Sequence, residues 1–203
     1  MSDREAEPGV QKLFDAIAAS RPHAASFRGV VVRSASIGYA NKHDFLSGEG
    51  AAAIGGRWNR RGVKAAYASL SPVTAAREAY QGFEAFGFDA AAIRPRVFCG
   101  AAVRLQAVLD LSDRGTRRRL GFTLEELLDE DWRTIQDEGD ESWTQAIGRG
   151  AHGARFEAVL APSARDRPDG RNLIIFPERI RAGSKVEILG ESELPPHPSP
   201  SGK

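Results

Sequence analysis

Short runs of apolar and β-branched residues recur along this chain, separated by helical stretches of unequal length, and this spacing limits the folds open to it. Gly29-Val30-Val31-Val32 lies within a strand over Phe27–Arg33, and Ala65–Leu70 reads as a second. Arg96–Val103 and Val108–Leu111 read as two strands joined by a turn, and Ala158–Ala161, Asn172–Phe176 and Lys185–Leu189 as three more, Asn172–Phe176 as a fully apolar one. A doubly wound parallel sheet needs strands and helices in regular alternation. The uneven spacing here predicts instead an α+β fold, with a mixed or antiparallel sheet and helices packed around it.

The chain has 203 residues, enough for one domain with a single core. It carries 28 basic against 27 acidic residues, a formal net charge of +1. That balance argues against a general nucleic-acid binder, which needs a basic excess to neutralise phosphates. Cys99 is the single cysteine, so no internal disulfide can form; its apolar surroundings, Val97–Val103, suit a small buried hydrophobe. The lone cysteine, a polar acidic amino terminus and the lack of any apolar run near the ~18–20 residues of a membrane span lead us to expect a cytoplasmic protein without membrane contact.

Val10–Ser20 carries a helical apolar stripe that Pro22 should end, and residues 1–22 are expected to form an amino-terminal helix and extension. Ser36–Gly62 is rich in glycine and serine and reads as a loop. Ser71-Pro72 then pairs an N-cap residue with proline at the first helical position, and Ala75, Ala79, Phe83 and Phe86 continue a helical apolar spacing. On that helix Glu78 lies one turn beyond Thr74. Asp113–Gly153 is predicted helical, with segments over Leu120–Leu128 and Trp143–His152, and Thr123–Glu126 resembles a capping box. From about residue 191 to 203 the prolines and serines predict a disordered tail.

Three segments carry groups suited to chemistry. In Gly55-Gly56-Arg57-Trp58-Asn59 the glycines allow close backbone approach and the guanidinium offers paired donors to a phosphate. The same residues also suit a tight turn in which Trp58 is core and Arg57 caps a carbonyl. Tyr67 has small neighbours that leave room for ring stacking, or it is a core tyrosine with a satisfied hydroxyl. Arg33 closes a strand and either reaches solvent or binds an anion. Glu78 can stabilise positive charge at an anomeric carbon, or face solvent beside Arg77. Ser163 lies in the turn Pro162–Gly170, outside any Gly-x-Ser-x-Gly elbow, and suits hydrogen bonding to a phosphate or ribose better than a hydrolase triad. Together these groups could hold a pyrophosphate and assist departure of nicotinamide from ribose, which points to NAD as ligand. The four histidines, His23, His43, His152 and His197, lack metal-ligand spacing, so no metal site is expected. Arg117-Arg118-Arg119 reads as a solvated helix face.

Ser47-Gly48-Glu49-Gly50, Gly55–Asn59 with Gly62, Tyr67, and Ser71-Pro72 leading to Glu78 resemble, in that order, the RES-domain family of bacterial toxins. So do Trp132, Thr144-Gln145-Ala146-Ile147-Gly148, Pro162-Ser163-Ala164 and Asn172–Phe176, and the domain would span residues 23–190. The resemblance implies an ADP-ribosyltransferase-like fold and NAD consumed as a substrate, by hydrolysis or phosphorolysis of its nicotinamide bond. It also admits ADP-ribose transfer to a protein target; a non-catalytic nucleotide-binding module is the remaining alternative. An Xre-type antitoxin is the implied partner. The arginine, glutamate and serine that name the family fall on Arg33, Glu78 and Ser163, with Arg28 the alternative arginine. Arg57 is then a second phosphate contact and Tyr67 a ring-stacking residue.

Overall fold

The computed structural model describes residues 8–85 and 95–197. Its elements run α1 (Pro8–Ala19), β1 (Ala25–Ser36), α2 (Glu49–Ile54), β2 (Ala66–Ser69), α3 (Pro72–Ala85) and β3 (Arg96–Asp110). The helices α4 (Arg114–Leu120), α5 (Leu124–Asp129), α6 (Trp132–Asp137) and α7 (Trp143–Gly153) follow, and β4 (Ala158–Pro162), β5 (Arg171–Ile175) and β6 (Lys185–Ile188) complete the order. The strands form one sheet in the order β1-β2-β5-β4-β3-β6, and β1 also pairs with β3, so five of the strands close a ring. All pairings are antiparallel except β3 with β4. This is the expected α+β fold with a mixed sheet.

Alternation along the strands sends side chains to two cores. Ala66, Ala68, Leu173, Ile175 and Ala158 meet Val31, Val103, Leu105 and Val108 inside the ring. Ile174, Val159 and Ala161 point the other way, against Leu13 and Ile17 of α1, Ile147 and Ala151 of α7, and Trp58. Helix α1 is therefore part of the packed body. A third, smaller cluster joins Ala35, Ala40 and Phe45 beneath the start of β3, with Leu194 against it. Cys99 packs there half-buried rather than in the core.

Several expectations need correction. The turn expected between Val103 and Val108 is absent, because Val103, Leu105 and Ala107 point inward while Arg104 and Gln106 face outward, a continuous strand alternation. Where β3 changes partner from β1 to β4, the fully buried Glu157 accepts from Gln106 N at 2.7 Å and Ala107 N at 2.8 Å. Its charge is met further by Arg181, 3.7 Å away. The loop expected over Ser36–Gly62 contains α2, whose Ala51-Ala52-Ala53 run has high helix propensity but no apolar periodicity to reveal it. The expected helix over Leu120–Leu128 is two helices, broken by Gly121 in a left-handed conformation; Thr123 and Glu126 then form the full capping box. The tail is ordered through a short 3₁₀ turn at Glu191–Glu193 and Leu194. Residues 198–203, Phe86 and the polar residues before Pro8 lie outside the described residues. Among the described residues no helix is long and apolar enough to cross a membrane.

Helix α7 holds the body together through one close approach. Ser142 and Gln145 form a capping box at its start, and Glu130 accepts from Trp143 N at 2.7 Å and Thr144 N at 2.9 Å. About one turn after Thr144, Gly148 lies against the backbone of Trp58: a Cβ there would meet the Trp58 carbonyl oxygen at 1.8 Å. Alanine would gain ~0.5–1 kcal/mol of helix propensity, but the backbone it meets cannot swing aside as a side chain would. Gly148→Ala is expected to cost about 3 kcal/mol net, read as a lower urea midpoint at unchanged slope.

Candidate active site

Ser71 caps α3, its Oγ accepting from Thr74 N at 3.0 Å, and Pro72 opens the helix as expected. Thr74, Arg77 and Glu78 then share one face, at helical spacings of three and four. All three reach the turn between β4 and β5. Thr74 donates to Asp166 Oδ2 at 2.6 Å, Arg77 pairs with Asp166 Oδ1, and Glu78 Oε1 accepts from Ser163 Oγ at 2.6 Å. The Thr74 hydroxyl, with Arg77 adding to it, holds the Asp166 carboxyl below its ordinary range, so the clamp stays charged at any pH near neutrality.

Ser163 is buried and its hydroxyl is fully committed. Its oxygen accepts from Arg165 N at 3.1 Å and Asp166 N at 3.0 Å, which leaves its proton for Glu78. Asn172, at the start of β5, donates to the same Glu78 Oε1 at 2.6 Å and accepts from Ser69 Oγ at 2.7 Å. Strand register sets this row, since Ser69 lies opposite Asn172 and Asn172 opposite Ala161. Glu78 is exposed, yet both of these bonds arrive at Oε1 and Oε2 takes part in neither.

The Gly55–Asn59 segment is a tight turn closed by Gly56 N to Asn59 O at 2.8 Å. Tyr67 ties it to β2: its hydroxyl donates to Asn59 Oδ1 at 2.8 Å and accepts from Trp58 N at 2.8 Å. Gly56 leaves the space for this, because a Cβ there would stand 2.6 Å from the Tyr67 hydroxyl. Trp58 is buried core and does not face a ligand. Arg57 does cap a carbonyl, donating to Leu127 O at 3.0 Å, but stays half-buried within electrostatic reach of Glu130 and Glu78. Burial lowers its pKa and those two carboxylates oppose the fall.

Arg33 sits where β1 and β2 separate beyond their single pair, Val32 with Ser69. It donates from Nη1 to Tyr67 O at 2.7 Å, and its guanidinium lies 5.9 Å from the centre of the Phe45 ring. Burial first, then the neighbouring Arg96, lowers its pKa to about 10, so it remains a cation at neutral pH. Its Nε is enclosed and has no hydrogen-bond partner among the described residues. Arg28, the alternative, is exposed and pairs across the sheet with Arg104.

Comparison with known proteins identifies the family. Residues 31–197 match the family model described as RES domain. The chain belongs to the RES-domain family. It is 39% identical over 122 residues to a Mycobacterium tuberculosis protein named "Probable NAD(+) phosphorylase", a match covering 60% of this chain and 53% of that protein. The chain thus spans about half the length of that relative. Among solved structures it resembles a chain of the M. tuberculosis MbcT–MbcA toxin–antitoxin complex, with a TM-score of 0.69 and 25% identity over 88% of this chain and 90% of that one.

Within this RES domain, Glu78 and Ser163 are in direct contact. Arg33 bonds the carbonyl of Tyr67, and burial raises the pKa of the Tyr67 phenol while the charges of Arg57 and Arg33 oppose the rise. Two participants escaped the sequence reading, Asn172 and Arg96. Asn172 could have been found as the polar residue opening an otherwise apolar strand, in phase with Ile174. Arg96 bonds Ser34 and offered no such signal. A cavity of about 310 Å³ lined by Ser20, His23, Asp110, Asp113 and Phe156 lies elsewhere and includes none of the candidate residues. The histidines are less scattered than their spacing suggests, because the fold brings His43 and His197 together beside Asp44.

With its hydroxyl bonded on both sides, Tyr67 works as a strut for the glycine-rich turn. Tyr67→Phe keeps the ring and removes the strut, leaving the Trp58 amide and Asn59 without their partner. The expected cost is about 2 kcal/mol by urea denaturation. A ring-stacking role alone would leave stability unchanged.

Proposed function

We propose that this protein cleaves the nicotinamide–ribose bond of NAD, passing ADP-ribose to phosphate or water. The observation that carries this reading is the Glu78 carboxylate, fixed at Oε1 by Ser163 and Asn172 and within electrostatic reach of Arg57. The name of the mycobacterial relative supports the same substrate.

In this reading Arg33 and Arg57 hold the pyrophosphate with guanidinium nitrogens other than the Nη1 atoms that bond Tyr67 O and Leu127 O. The bond from ribose C1′ to the nicotinamide nitrogen breaks with its electron pair going to nitrogen, so nicotinamide departs neutral and needs no proton. Positive charge builds on the ribose. A carboxylate about 4 Å away, at an effective dielectric near 20, attracts that charge by about 4 kcal/mol, and it does so more in the transition state than in bound NAD. A phosphate oxygen then bonds to C1′ to give ADP-ribose 1-phosphate, or a water oxygen does so and releases a proton to solvent, giving ADP-ribose. Ser163 and Asn172 act by holding the carboxylate in place. Half-buried Tyr67 keeps its proposed place beside the nicotinamide. The toxin–antitoxin complex among the structural relatives supports a toxin role held in check by an antitoxin, for which the family resemblance suggests the Xre type.

Glu78→Ala is expected to reduce NAD turnover by about 10²–10³ with little change in thermal midpoint, since Glu78 is exposed. Chromatography of products with and without phosphate identifies the acceptor; a labelled protein band in extract, without free ADP-ribose, would indicate transfer to a target instead. Undiminished turnover would remove Glu78 from the reaction. Asn172→Asp sets a second carboxylate beside Glu78. Like charges that close cannot both ionise, so the acidic limb of the activity–pH profile should move upward by about one unit or more. Asn172→Ala should lower activity without that shift.

A further inference from the structure

Away from the NAD site, the turn after β1 and the carboxy-terminal segment meet at a cluster of nitrogen and oxygen donors. One ring nitrogen of His43, one of His197 and a carboxylate oxygen of Asp44 all lie within 4.8 Å of one another, although the histidines are far apart in sequence. His43 Nδ1 is 2.9 Å from Asp44 Oδ1, and His197 Nε2 is 3.6 Å from Asp44 Oδ2. The two rings meet edge to face with centroids 5.8 Å apart.

The carboxylate is positioned before anything binds. Asn41 is buried; its side-chain amide donates to Asp44 Oδ2 at 2.8 Å, and its Oδ1 accepts from His43 N and Asp44 N, each at 3.0 Å. An amide holding a carboxylate in this way is the outer support that metal ligands use. Two imidazoles with one carboxylate suit zinc, nickel or cobalt rather than magnesium or calcium, which prefer oxygen donors. Ligand atoms in a tetrahedral site lie roughly 3.3 Å apart, given bonds of about 2.0 Å. Both histidines are exposed, so their side chains can close the remaining distance without moving the core. Positions left on the ion face water.

We propose that His43, Asp44 and His197 bind a divalent transition ion of the zinc class, tying the carboxy-terminal segment to the turn that carries Phe45. Leu194, three residues before His197, already packs on the cluster of Ala35, Ala40 and Phe45. Phe45 is fully buried with its ring beneath the Arg33 guanidinium. An ion at this site therefore braces the floor under Arg33 from outside, whatever Arg33 binds.

The test uses the full chain without an affinity tag, stripped with chelator and titrated with zinc chloride by calorimetry. One equivalent should bind, His197→Ala and His43→Ala should each weaken it at least tenfold, and the double variant should lose it. Zinc should slow amide exchange over residues 191–197 in the parent and not in His197→Ala. Circular dichroism confirms that the variants, altered only at exposed positions, remain folded. No saturable binding by the parent, or equal binding by the parent and the double variant, overturns the proposal. So does zinc binding that leaves exchange over 191–197 unchanged.

Discussion

The clamp between α3 and the β4–β5 turn is the contact on which the site's geometry rests. Thr74 and Arg77 hold Asp166, and Glu78, one turn further, meets Ser163 from the same turn. Neither half would be precise alone. A single hydrogen bond to an exposed glutamate contributes little against side-chain entropy, which for Glu is up to ~2 kcal/mol. The Thr74 and Arg77 contacts to Asp166 dock the helix on the turn beforehand, so the Glu78 bonds have only the side-chain rotamer left to fix. Ser71 and Pro72 contribute earlier still, since they start the helix at the residue that puts Thr74, Arg77 and Glu78 in phase with the turn.

The sheet beneath the clamp is a compromise at two junctions. Strands β1 and β2 share one residue pair and then separate, and the opening is filled by Arg33 bonding the carbonyl of Tyr67. On the far side, β3 leaves β1 for β4, and the amides freed by the change are taken by buried Glu157. Unpaired buried amides would each cost about 1–3 kcal/mol, so a charged side chain at either junction is cheaper than a broken ladder. The difference lies in how well each charge is matched. Glu157 receives three backbone amides and Arg181. Arg33 keeps one nitrogen without a partner among the described residues.

Much of this was legible in the chain before any coordinates. Ser71-Pro72 marked the start of α3, the short strands indicated an α+β sheet, and the family motifs, rather than local pattern, singled out Glu78 and Ser163. What escaped detection has physical causes. Helix α2 is built from small residues with no apolar face to reveal it, and β3 carries polar residues on its outward phase that looked like a turn. Trp58 and Tyr67 showed the composition of a binding loop because a tight turn against a buried tryptophan draws on the same residues: glycine for close approach, an aromatic for packing, an amide for bonding. Long-range meetings such as His43 with His197 are set by tertiary closure, which no local pattern encodes.

The residues around the site divide by what they have left to give. The Tyr67 hydroxyl, the Ser163 hydroxyl and the Asn172 side chain spend their bonds on the protein, as does one nitrogen of Arg57. They define shape. Arg33 Nε and Glu78 Oε2 stand outside those bonds, one a donor on a buried cation and the other an acceptor on an exposed anion. On the proposed reading, a ligand held between the Arg33 cation and Glu78 would carry an anion at one end and develop positive charge at the other. NAD in the act of losing nicotinamide has that polarity, with pyrophosphate on one side of the ribose and the oxocarbenium centre on the other. On the proposed reading, an ordinary anion at Arg33 would be repelled by Glu78, and the pair would favour charge separation within one molecule over net charge.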